Sequence, residues 1–428
     1  MRRCVILTTV LSALWLLCNT GCTDEGYFAG AGGGGGVGSV GSHVPVPAQL
    51  GKLQLQYYWQ ARLPLEGAEH VARLYRLDEN VYCLTDKNRL FAVDAATSLL
   101  KWQHKVADPA QTVLPPAHAN GARLPLRVGG VKELLSTHAK EQALKEASAL
   151  DIVAINTLSE VQVLDRQTGR QIRKIPFEFS ANTGGSTDGE CFYVGTTDGW
   201  YYAIRLFDAI PLWWGKTGDI IMAPPMVHGG YLFVASTDGG LQALAVAERG
   251  RRLWQSGDRL TLAMHGPVTA AFHVDDRGCF IPCEDHRVYA YHTASGRPLW
   301  EPFTCQGPLR DPIQVGTNTI FQYATGDKLY AINLANGKLR WSLPEGRKVL
   351  AVMDNDVYLL DKSGRLLVVD EILGKVKGVL PLAGLELCAG SATAPAVYAA
   401  TRDGRVVCIR HKSAGHLTVD VLKGIKKP

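Results

Sequence analysis

The chain has 428 residues, 46% hydrophobic and 20% charged, an ordinary balance for a globular protein with a large core. Its formal net charge of +5, part of it from Arg2 and Arg3, comes with no basic stripe interleaved with aromatics, which argues against a nucleic-acid protein. The length could hold two or three average domains, but one repeat runs from about residue 55 onward, so a single large all-β domain is expected.

The N-terminus reads as a targeting segment. Arg2-Arg3 is a positive start, and Val5 to Cys18 is an apolar run of 14 residues. That run is short for a membrane span and right for a secretory signal, so residues 1–21 are read as a signal peptide. Leu17-Cys18-Asn19-Thr20-Gly21-Cys22 resembles a bacterial lipoprotein processing site. Gly21 fits the small position before the cysteine, while Asn19 stands where an aliphatic residue is usual. Cys22 is the expected lipid anchor; the alternative is plain cleavage near Gly21 and a soluble exported protein. Thr23 is compatible with outer-membrane sorting.

Residues 22–50 read as a flexible linker, rich in Gly, Ala, Ser and Val from Gly30 to Ser42. Gly32 to Gly36 do not make a phosphate loop, because no Lys-Ser/Thr pair opening a helix follows. A flexible chain of about 25 residues reaches on the order of 25–30 Å.

Residues 51–428 carry the repeat. Its clearest copy is Val234-Ala235-Ser236-Thr237-Asp238-Gly239-Gly240-Leu241-Gln242-Ala243-Leu244, then Arg252-Leu253-Trp254. This is an alternating strand, a hairpin turn at Asp238-Gly239, a return strand and a closing Trp. In chain order the copies are Val81 to Trp102, Ile152 to Ile172, Phe192 to Trp214, the copy ending at Trp254, Phe280 to Trp300, Ile320 to Trp341, Val357 to Val376, and Val397 to Arg410. Trp214, Trp254, Trp300 and Trp341 are separated by 40, 46 and 41 residues. Eight such units predict an eight-bladed β-propeller. Leu53 to Trp59 looks like a last strand with no first strands before it, and the final copy lacks a Trp. The two halves are expected to complete one blade and close the ring.

One insertion, about 107–150, interrupts the repeat. Pro109, Pro115, Pro116 and Pro125 mark its first half as an irregular loop. Val131, Leu134, Leu135, Ala139, Ala143, Leu144 and Ala147 give its second half helical spacing, so a helix is expected up to Leu150. It either decorates a functional face or packs on a blade edge.

Seven cysteines follow Cys22: Cys83, Cys191, Cys279, Cys283, Cys305, Cys388 and Cys408. An odd count leaves at least one thiol unbridged, and no specific disulfide is predicted. Cys279 and Cys283 lie roughly 13 Å apart along one strand, too far to share a zinc ion. No catalytic constellation and no metal site is predicted. The turn residues Asp198-Gly199, Asp238-Gly239 and Asp403-Gly404 are read as architecture, with Asp side chains capping backbone amides. So are Trp59, Trp102, Trp214, Trp254, Trp300 and Trp341, expected to pack between blades. Catalysis needs a site made once, and these features recur.

The pattern Asp-Gly-x-Leu-x-Ala-Leu followed by Thr-Gly-x-x-x-Trp resembles the repeat of the pyrroloquinoline-quinone-type propellers. Thr293-Ala294-Ser295-Gly296-Arg297-Pro298-Leu299-Trp300 and Asn336-Gly337-Lys338-Leu339-Arg340-Trp341 are its clearest instances. The resemblance covers about residues 55–411. One branch, the quinoprotein dehydrogenases, binds the quinone and calcium on the propeller axis; those using alcohols often carry an adjacent Cys-Cys pair, which this chain lacks. The other branch, the BamB-like lipoproteins, has the order of signal, anchoring cysteine and propeller seen here. The helical insertion and long Gly tether depart from that branch. The resemblance implies a non-catalytic, monomeric scaffold without cofactor, tethered in the periplasm to the outer membrane. Its implied partners are proteins of the β-barrel assembly machinery. A PQQ-dependent enzyme and a cell-surface adhesion or sensor module are the alternatives.

Overall fold

The computed structural model describes residues 44–124, 148–415 and 417. The signal peptide, Cys22, the glycine run and most of the predicted helix lie outside them. The described residues form eight four-stranded antiparallel sheets, the blades of a β-propeller. Blade 1 consists of Val71–Leu77, Asn80–Thr85, Arg89–Asp94 and Leu100–Lys105. Blades 2 to 7 follow in chain order, each with its strands in sequence order. First strands of neighbouring blades approach one another around the axis, for example those of blades 8 and 1 and of blades 3 and 4.

The expected ring closure is present. Blade 8 takes three strands from the C-terminal end, Leu387–Ala389, Val397–Ala400 and Arg405–His411, and its fourth, Leu55–Arg62, from the N-terminal end. Leu55 pairs with His411 and Arg62 with Arg405. The last residues of the assigned linker are structured: Pro47–Gly51 is a short helix with Leu50 fully buried. Leu53 fills the space that Gly378 leaves on blade 7, where a Cβ would lie 2.1 Å from Leu53 Cδ2.

The ring has two distinct ends. In blades 1, 3, 4, 6 and 7 the third-to-fourth turn is tied to the first-to-second turn, as in Ala95 N to Glu79 O (2.8 Å) and Glu371 N to Asn355 O (2.9 Å). These turns make one end of the ring, the turn end. Second-to-third turns and blade-to-blade connections make the other, the loop end.

A radial row runs through most blades: an aromatic on the second strand, a small residue on the third, a Trp on the fourth. Tyr82–Ala92–Trp102, Phe233–Ala243–Trp254 and Phe321–Ala331–Trp341 are examples, with ring centroids 5.8 to 6.1 Å apart. The small middle residue leaves room for the rings to meet across the strand. The row corrects one expectation. In blade 3, Ala203 pairs with Trp213, which is 7% exposed and lies 5.8 Å from Tyr193. Trp214, assigned to packing, points the other way and is 59% exposed, because successive strand residues face opposite sides.

The insertion is also smaller than expected. Ala117–Arg123, inside the proline-rich half read as a loop, is the first strand of blade 2, and Ala149–Asn156 is its second, so Ala149 and Leu150 are not helical. Pro109, Pro115 and Pro116 precede the strand and Pro125 follows it, so its amides stay free. What remains between the two strands is residues 124–148, of which 125–147 lie outside the described residues.

Candidate functional site

The repeated residues sit at the seams between blades. Indole N–H groups of Trp59, Trp102, Trp254, Trp300 and Trp341 donate to Ala95, Arg166, Thr293, Leu334 and Glu371 carbonyls of the next blade, at 2.8 to 3.2 Å. Trp102, Trp213, Trp254, Trp300 and Trp341 also cover a left-handed glycine in that blade's turn: Gly169, Gly250, Gly296, Gly337 and Gly374. A Cβ on any of these would lie about 2.5 Å from the ring. Trp59 closes the last seam, from blade 8 to blade 1.

Asp198-Gly199, Asp238-Gly239 and Asp403-Gly404 are second-to-third turns at the loop end, each glycine at positive φ. Asp238 Oδ1 accepts from Gly240 N (2.8 Å) and the Ser236 hydroxyl; Asp198 and Asp403 accept from Thr196 and Thr401. These carboxylates are engaged in their own turns. Cys22 lies outside the described residues. Cys83, Cys191, Cys279, Cys283, Cys305, Cys388 and Cys408 are all buried and unbridged. Burial pushes the Cys408 thiol up to about 11 and the Cys191 and Cys388 thiols to about 12. Such thiols are inert.

The site not foreseen lies on the axis. First strands of blades 1 to 4 enclose a pocket of about 420 Å³, lined by Leu77, the Pro115-Pro116 pair, Gly184-Gly185, Pro224 and Met226, with Asp78 and His118 on one wall. His118 Nε2 lies 2.8 Å from the Tyr82 hydroxyl and its Nδ1 2.9 Å from Asp78 Oδ2. Burial lowers the imidazole pKa, with the Asp78 hydrogen bond acting against it. Arg166 gathers the acids behind this wall: Asp78 at 3.4 Å, Glu79 at 3.0 Å and Asp151 at 3.2 Å. Its backbone carbonyl accepts from Trp102, so the cluster is locked to the seam of blades 1 and 2. The sequence held one signal for it: Arg166 stands where blades 1, 3, 4 and 6 place Ala95, Leu206, Val246 and Leu334, although blades 5 and 7 have Thr293 and Glu371 there. The pocket is mostly apolar, and Asp78, the one carboxylate among its lining residues, is already shared by His118 and Arg166. That donor set does not fit a calcium ion, which takes six to eight oxygens. Among the described residues no group of three or more His, Cys, Asp or Glu side chains could hold a metal ion.

These features define an eight-bladed propeller of the pyrroloquinoline-quinone type, with seams sealed by tryptophan and an apolar axial pocket. The family model described as outer membrane protein assembly factor BamB matches residues 158–301 and, overlapping, 244–426; the chain belongs to that family. A protein of that description from Yersinia pestis is 23% identical over 261 residues, 56% of this chain and 65% of the relative. One from Burkholderia pseudomallei is 26% identical over 144 residues, 33% of this chain and 36% of the relative. The matches thus span less than two thirds of either relative's own length. The crystal structure of BamB from Moraxella catarrhalis has a TM-score of 0.59 at 14% identity, covering 85% of this chain and 99% of that one. The computationally designed Ika8 protein has a TM-score of 0.58 at 13% identity, covering 81% and 98%. A designed protein resembles the chain about as well as a natural one, so these likenesses speak for the fold alone.

Proposed function

We propose that the protein is an exported, lipid-anchored, non-catalytic scaffold that assists assembly of β-barrel proteins at the outer membrane. The observation that carries this reading is the family match, which runs from the second half of blade 2 through the C-terminal strands of blade 8. The order of signal, Cys22 and linker before the ring supports the anchor and the periplasmic location. The partner is a protein of the barrel-assembly machinery, met through the loop end. Leu158, Ile220 and Leu260 stand exposed there on blades 2 to 4 and their connections, and aromatic Phe179 stacks on Tyr202 at 4.0 Å beside them. Exposed apolar side chains clustered on loops suit protein contact. The quinoprotein alternative draws no support from the axial pocket, whose donor set does not suit calcium.

The test is a mild-detergent pull-down of tagged protein from membranes, read by mass spectrometry. A barrel-assembly component is expected to be enriched over a tag-only control. Recovery of intact tagged protein without any such component would overturn the reading.

A further inference from the structure

We propose that the turn end of the ring, across blades 5 to 8 and blade 1, is a lipid-facing surface that rests on an anionic bilayer. The proposal rests on the anchored-scaffold reading for the nearness of a membrane.

Three observations converge on this surface. The first is the placement of exposed apolar side chains. Leu299, Leu339, Ile372, Leu373, Leu99 and Leu100 project from third-to-fourth turns of blades 5, 6, 7 and 1, and Val46 projects beside blade 8. Leu373 is 73% exposed. At the loop end, by contrast, the exposed large hydrophobics Leu158, Ile220 and Leu260 belong to blades 2 to 4 and their connections. The turn end also exposes Ile210 on blade 3, so its apolar side chains are concentrated on blades 5 to 7 and 1 without being confined there, whereas those of the loop end lie on blades 2 to 4.

The second is charge. Arg297, Lys338, Lys375, Lys412 and Lys52 lie on the same arc and are exposed. None has a carboxylate partner among the described residues. Acids of these turns are partly countered: Lys377 is shared by Asp356 and Asp370, and Lys101 by Asp94 and Glu79. Asp354 and Asp276 face His411 and His228. Leucines alternating with unpaired lysines and arginines are the chemistry of an interfacial anchor. Apolar side chains enter the acyl boundary while long basic side chains reach back to headgroup phosphates.

The third is where the chain enters. Lys412 N donates to Gln54 O, and Leu55 pairs with His411, so the segment from Val44 joins the ring at the turn end beside blade 8. The linker behind it leads to Cys22. An anchor attached there draws this end, rather than the loop end, toward the bilayer. The loop end then faces away, free for a protein partner.

The test uses the full chain carrying Cys22→Ser, which removes the lipid attachment point, floated with two kinds of vesicle. One kind mixes phosphatidylethanolamine with phosphatidylglycerol, and the other is phosphatidylcholine alone. The expected result is weak binding to the anionic vesicles only, abolished by high salt. Lys338→Glu or Lys375→Glu in that background should cut partitioning at least about fivefold each, since one base near an anionic surface is worth about that factor. Leu373→Asp should also weaken it, and Leu260→Asp at the loop end should not. All four side chains are exposed, and circular dichroism checks that the fold is kept. Equal binding to both vesicles, no binding to either, or equal sensitivity to Leu260→Asp overturns the proposal. If wild-type protein floats no better than the Cys22→Ser chain, the anchor reading fails and the surface stands on the vesicle result alone. If wild-type protein floats while the Cys22→Ser chain ignores anionic vesicles, the anchor stands and the surface fails.

Discussion

Blade 6 and blade 2 are built from the same unit and meet their next neighbours in different ways. In blade 6, Phe321, Ala331 and Trp341 form the radial row, and Trp341 covers Gly374 in the turn of blade 7. In blade 2 the same row reads Ala154, Val163 and Arg173. The turn it faces in blade 3 has Ala209, at φ +63, where the other seam has glycine. The two sides of the seam change together. A Cβ under a tryptophan would clash, and with arginine in its place there is no ring to meet it. Burial lowers the Arg173 pKa, with Asp208 acting against it. Blade 2 also carries the insertion and, with blade 1, the His118–Arg166 wall of the pocket. Blade 7 also lacks the tryptophan, its row reading Tyr358, Val368 and Gly378 with Leu53 filling the gap, but only blade 2 bears these single-copy features.

The largest test of this contrast is tryptophan removal. Trp341→Ala should lower unfolding free energy by about 3–5 kcal/mol in urea titration, through lost ring packing and an unpaired Glu371 carbonyl. Trp214→Ala, one strand position from the buried Trp213, should change it by no more than about 0.5 kcal/mol. Equal losses would break the assignment of the rows.

The seam between blades 8 and 1 adds a polar device. Burial would raise the Glu69 carboxyl from its ordinary 4.5, but hydrogen bonds from Arg89 and Thr85 outweigh it and hold it at about 2. The folded-state value is depressed, so its stabilisation is complete above pH 4.5 and is lost as pH falls from there toward 2. The expected loss is on the order of 3 kcal/mol. Urea titrations across that window should show this slope in wild type and a flatter one in Glu69→Gln.

Gly374→Ala should cost about 1–3 kcal/mol, since its φ is +69 and its new Cβ would sit 2.5 Å from Trp341. Thermal melts would show whether the seam tolerates it. One wild-type seam bounds the effect: Trp59 bonds to Ala95 above a turn carrying Ser98 at φ +69, so a Cβ can be absorbed where the ring shifts.

The smallest effect is also the sharpest probe. Arg173→Trp alone should destabilise blade 2, whereas adding Ala209→Gly and Val163→Ala should recover about 1–3 kcal/mol of the loss. A coupling near zero in the mutant cycle would show that the two sides of the seam do not depend on each other.

Much of the fold was legible because each blade repeats its own local signals. The Asp-Gly turns, the strand alternation and the N-terminal half-blade all report on residues close in sequence. Trp213 was legible too, but only through the row: it follows Ala203 by the ten residues that separate Ala92 from Trp102 and Ala331 from Trp341. Read by the Trp-to-Trp interval alone, its neighbour Trp214 was preferred. The first strand of blade 2 was hidden behind Pro115-Pro116, and its Ala-His-Ala-Asn-Gly sequence has little strand character of its own. It is a strand because Ala149–Asn156 offers a ladder to pair with.

By itself the sequence determined the number of blades, the turn chemistry and the closure of the ring by its N-terminal strand. Period, glycine conformation and alternation are local properties of the chain. The tertiary structure alone decided that His118, Tyr82, Asp78 and Arg166 meet at one wall. It also gathered exposed leucines and lysines from the turns of several blades at one end of the ring. These residues come from different blades, and only closure of the ring brings them together.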